Sequence, residues 1–61
     1  MIEKIQKEIE FIKSNLKFYK NYLSHDISIG NLEKSCVKEQ IELMEKYQTI
    51  LEERLKYFIS F

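Results

Sequence analysis

His25 and Asp26 are neighbours, and an imidazole beside a carboxylate is the pairing that both acid–base catalysis and metal binding use. Either role needs further groups converging on the same point. The sequence holds no second His and one thiol, Cys36. The pair also falls in the segment 24–31, SHDISIGN, which carries the only Gly. The plainer reading is a solvated turn. Cys36 as a reactive thiol needs a depressed pKa, and a nearby helix start lowers it only slightly. Read plainly, it is a small buried hydrophobe. The glutamates Glu3, Glu8, Glu10, Glu33, Glu39, Glu42, Glu45, Glu52 and Glu53 suggest a carboxylate metal site. Di-iron helical bundles, however, use a Glu-x-x-His pair facing inward, and no such pair exists here. These residues read as a solvated face with i,i+4 partners such as Glu42 with Lys46 and Glu52 with Lys56. No nucleophile, base and oxyanion donors fall into a catalytic pattern. The expectation is a non-enzymatic protein with no cofactor and no metal site.

The remaining chemistry is electrostatic. Lys13, Lys17 and Lys20 recur at 4-3 spacing, so on a helix they share one face. Phe18 and Tyr22 lie near them, and no acidic residue stands between Phe11 and Leu23. This is the one locally basic stretch, and it marks a candidate nucleic-acid face. The plainer reading is a cationic helix end, which the helix dipole favours.

Positioning any of these side chains falls to a chain of 61 residues, enough for one domain spanning 1–61. Ten basic and ten acidic residues cancel, so no whole-chain field points to nucleic acid or anionic lipid. There is no Pro, and Glu, Lys, Ile and Leu dominate, the profile of long helices. Uninterrupted apolar runs reach only two or three residues, so no membrane span is expected. One Cys and no signal-type apolar segment fit the cytoplasm. A chain this short buries only about 60% of its unfolded surface and leans on disulfides, a metal or self-association. With one Cys and one His, self-association is the device left.

The first helix is expected from about residue 2 to 24. Ile2, Ile5, Ile9, Ile12, Leu16, Tyr19 and Leu23 are spaced 3-4-3-4-3-4. That is a heptad seam, which a strand could not bury on one face. Asn31 is the expected N-cap of the second helix, with Ser28 and Asp26 as alternatives. Ile27 and Ile29 are expected to fold back over the end of the helix pair.

The second helix, about residues 31–60, carries two seams. Val37, Ile41, Met44, Gln48, Leu51, Leu55 and Phe58 form the first. Cys36, Gln40, Leu43, Tyr47, Ile50, Arg54, Tyr57 and Phe61 form the second, one residue and hence about 100° away. A face this wide normally has more than one neighbour. The short loop makes the helices antiparallel, with facing residue numbers summing to about 56. The tail from Lys56 onward then projects past the first helix by about 9 Å. Within the first seam, Gln48 reads either as a buried register-setting polar residue or as a side chain reaching solvent. Arg54 reads either as an anchor for a partner's carboxylate or as a snorkelling stem.

One first helix cannot cover two seams, and Phe11, Phe18 and Tyr22 lie outside its own. Exposed contiguous apolar surface marks an interaction site. The candidate interface therefore comprises Phe11, Phe18 and Tyr22 from the first helix, with Cys36, Leu43, Tyr47, Ile50, Arg54, Tyr57, Phe58 and Phe61 from the second. The expected architecture is an all-α antiparallel hairpin dimerising into a four-helix bundle. The expected function is a non-enzymatic protein–protein interaction module, a small homodimeric regulator or inhibitor whose partners are a second copy of itself and a larger protein. In architecture the hairpin resembles the Rop-type plasmid RNA-binding proteins, though no motif matches residue by residue. That resemblance implies the alternative function, RNA binding through Lys13, Lys17 and Lys20.

Overall fold

A computed structural model describes residues 1–25 and 28–60. Helix α1 runs Ile2–His25 and helix α2 runs Asn31–Ile59. They pack against each other as an antiparallel hairpin, 49 × 15 × 13 Å in extent. Among the described residues there is no strand.

The helix ends are closed locally. The Ser24 hydroxyl donates to the Asn21 carbonyl at 3.1 Å, and His25 Nδ1 lies 3.0 Å from the same oxygen. Both contacts fall on the Asn21 carbonyl, one turn before the end of α1. His25 thus acts at a helix end, while Asp26 lies outside the described residues. The start of α2 departs from expectation. Its N-cap is Gly30, in extended backbone with no side-chain cap, and Asn31 is already the first helical residue. The Lys34 N–H donates to the Gly30 carbonyl at 3.0 Å, so the helical ladder starts one residue before Asn31. Ser28 stands two residues before the N-cap position, and the alternative cap Asp26 is not among the described residues. At the far end, the Ser60 N–H and hydroxyl both donate to the Lys56 carbonyl, at 3.0 and 2.8 Å.

The core is the two main seams meeting. It forms two clusters, Ile5, Ile9 and Leu51 toward the open end, and Leu16, Val37 and Ile41 toward the turn. Ile12 packs against both. Gln48 falls between them, half-buried, and no charged or polar residue is fully buried among those described. Its side chain therefore stands at the seam edge. The register agrees closely with expectation: the cross-helix hydrogen bonds Glu8–Tyr47 and Tyr22–Glu33 join residues whose numbers sum to 55.

The C-terminal tail divides. Leu55 and Phe58 pack against the Ile5–Ile9–Leu51 cluster, while Tyr57 and Ile59 stay exposed. Phe61 lies outside the described residues. Near the turn, Ile29 is half-buried, and its expected companion Ile27 is not described. On the surface, Lys56 pairs with Glu53 at 3.6 Å rather than with Glu52. Such exposed pairs contribute little.

Candidate interaction surface

The core uses one face of each helix, so the second seam of α2 is left in water. Leu43 is 61% exposed, Ile50 55%, Tyr57 59% and Tyr47 45%. Cys36, a free thiol, and Arg54 are exposed in the same row. The Arg54 guanidinium stands 3.8 Å from the Met1 sulfur, level with the start of α1.

Helix α1 adds to the same side of the hairpin. Phe11 and Phe18, one heptad apart, are 67% and 63% exposed. Phe11 and Tyr47 line one groove together with Lys4, Lys7, Glu8 and Ile12. The Tyr47 hydroxyl spans the two helices, donating to Glu8 Oε2 at 3.0 Å. That bond and the Glu8 negative charge raise the Tyr47 pKa above the ordinary phenol value of about 10. Arg54 opposes the shift.

Two of the expected interface residues are partly used within the chain. Tyr22 is half-buried against the Leu16–Val37–Ile41 cluster, and its hydroxyl donates to Glu33 at 3.0 Å. Phe58 is half-buried in the other cluster. One exposed apolar residue extends the row unannounced: Leu32, 79% exposed, sits one turn before Cys36 on the same side of α2. Its spacing of four from Cys36 was the available signal. Glu8, Lys4 and Lys7, which rim the groove, carried no such signal, because their place depends on the cross-helix register.

The opposite side of the hairpin is polar. Lys13, Lys17 and Lys20 do share a face, lining a shallow cleft with Leu16, Asn21 and Gln48. Lys20 lies 3.8 Å from Glu45 of α2, which offsets part of that charge. Among the described residues no three of His, Cys, Asp and Glu gather at one point, and no helix is long and apolar enough to cross a membrane.

No known protein family, curated protein or solved structure matches this chain.

Proposed function

We propose that the chain is a homodimeric protein-interaction module, two hairpins packed through the second seam as a four-helix bundle. In this reading it is a small non-enzymatic regulator that docks onto a larger protein. One observation carries the proposal. Leu43, Tyr47, Ile50 and Tyr57 form an exposed row along α2, and Phe11 stands beside Tyr47 on the same side. Burying a side chain of this size is worth about 1.5–3 kcal/mol, so leaving the whole row in water forgoes more than a hairpin this small can spare. The intrachain core offers little reserve, since a chain below about 70–80 residues rarely draws more than 3–5 kcal/mol from one core. Packing two rows together supplies the missing burial. Phe18, Leu32 and Ile59, toward the ends of the hairpin, then remain as apolar points for the larger partner.

The test is a charge placed in the row. Ile50→Asp or Tyr47→Asp buries an unpaired carboxylate at the interface, at a cost of several kcal/mol. Either variant should sediment as a monomer of reduced helicity. A mass equal to that of the unaltered protein contradicts the proposal.

A second reading, RNA binding, is favoured by the gathering of Lys13, Lys17 and Lys20 in one cleft. Reversing all three to Glu leaves the dimer row untouched. Affinity for RNA should then fall steeply with salt and drop in the triple variant. No binding at low salt removes this reading.

A further inference from the structure

We infer that the second copy docks antiparallel, its turn at the opposite end, with the twofold axis crossing α2 at Tyr47. This rests on the dimeric reading above and adds an orientation and a register to it. The row on α2 has two polar members, Gln40 and Arg54, and each stands seven residues from Tyr47. An antiparallel twofold at Tyr47 sets Gln40 against Arg54 of the partner subunit, twice. The apolar members follow the same symmetry. Leu43 falls against Ile50 of the partner subunit and Cys36 against Tyr57 of the partner subunit. Every layer then meets its own kind. The Gln40 amide oxygen accepts from the guanidinium, and Glu39, next to Gln40, offers a carboxylate to the same cation.

Neighbouring registers lose this match. Sliding the copies by about one turn sets Arg54 against Leu43 or Cys36 and Gln40 against an apolar side chain. Both polar groups are then desolvated without partners. Turns at the same end fare no better. They lay α2 over the partner's α1, and Arg54 then faces Met1 and Ile2 at the start of that helix, where the one acidic side chain, Glu3, is already paired with Lys7.

The groove beside Tyr47 holds charges of both signs. Glu8 is level with Tyr47, and Lys4 and Lys7 flank it. An antiparallel twofold at this level brings Glu8 closest to its own symmetry mate, and Lys4 and Lys7 of both copies flank the two carboxylates and offset their charge. The same register brings Lys46 near its own symmetry mate at the outer margin, where water and salt screen the pair.

Two measurements test the inference, with sedimentation run on each variant. The first places a spin label on Ser24→Cys in a Cys36→Ser background. Ser24 is exposed and sixteen residues beyond Glu8. Opposed turns put the two labels about 48 Å apart, at 1.5 Å per residue. Turns at the same end put them roughly 10–20 Å apart, one to two helix spacings. The second is a swap. Arg54→Glu should weaken the dimer about tenfold, and adding Gln40→Arg should restore most of that loss. A short label distance in a dimer overturns the orientation, and an unrestored swap overturns the register, while both leave the dimer standing. A monomeric mass for the unaltered protein overturns the dimer and this inference with it.

Discussion

Tyr47 on α2 donates its hydroxyl hydrogen to the Glu8 carboxylate on α1 at 3.0 Å, the one side-chain bond among those described that ties the middle of the hairpin together across its exposed side. It orients an aromatic ring that would otherwise be free to rotate at the centre of the apolar row. It also couples that row to pH. The Tyr47 pKa is raised, first by the hydrogen bond to Glu8 and then by the charge of that carboxylate. The folded protein therefore holds the phenol proton more tightly than the unfolded chain does. The resulting stability is fully present below pH of about 10 and is lost as pH rises through the higher folded value. Tyr47→Phe should flatten this part of the alkaline limb in a comparison of melting temperature against pH. Superimposable alkaline limbs for the two proteins contradict the coupling.

Gly30 caps α2 without a side chain, at φ −70° and ψ 164°, a conformation open to any residue. A Cβ built there meets nothing within 4 Å. Gly30→Ser should supply the missing cap and restrict the unfolded chain, stabilising the protein by about 0.5–1 kcal/mol. Glu33 stands three residues on, at the spacing of a capping box. The melting temperature should rise by about 2–8 °C. A fall would show that the turn needs glycine for a reason the backbone angles do not contain.

Leu51 and Leu43 separate the two seams of α2. Leu51 is fully enclosed within the chain, and Leu43 is mostly exposed. Leu51→Ala should cost about 2–5 kcal/mol and lower helicity at every protein concentration. Leu43→Ala should act through association alone. Its melting temperature should lie below that of the unaltered protein at high protein concentration and converge with it on dilution, where neither chain is dimeric. Equal, concentration-independent losses in both variants contradict a division of labour between the seams.

The hairpin itself was legible in the chain. Unbroken 3-4 spacing in α1 and the doubled spacing in α2 determine which faces are apolar, and one short break between them makes the helices antiparallel. The register followed from the same numbers, because a loop of fixed length leaves little freedom to slide. Capping was not legible: Asn31 has the right side chain, but the ladder closed one residue earlier, on Gly30. That choice turns on backbone angles that side-chain preference only biases. Tyr22 shows a second limit. Its position outside the main seam implied exposure, yet a long ring with a polar tip reaches the core with its body and Glu33 with its hydroxyl. The charged rim of the groove was hidden for a related reason. Lys4, Lys7 and Glu8 look like any solvated helix face until the register brings Tyr47 beside them.

Sedimentation equilibrium over a wide concentration range gives the mass of the protein in solution, and that mass decides whether the exposed row of α2 joins two copies. If the row of Leu43, Tyr47 and Ile50 is buried between copies, the protein has twice the chain mass and dissociates on dilution with a parallel loss of helicity. A chain that remains monomeric and fully helical at the highest concentrations contradicts that burial.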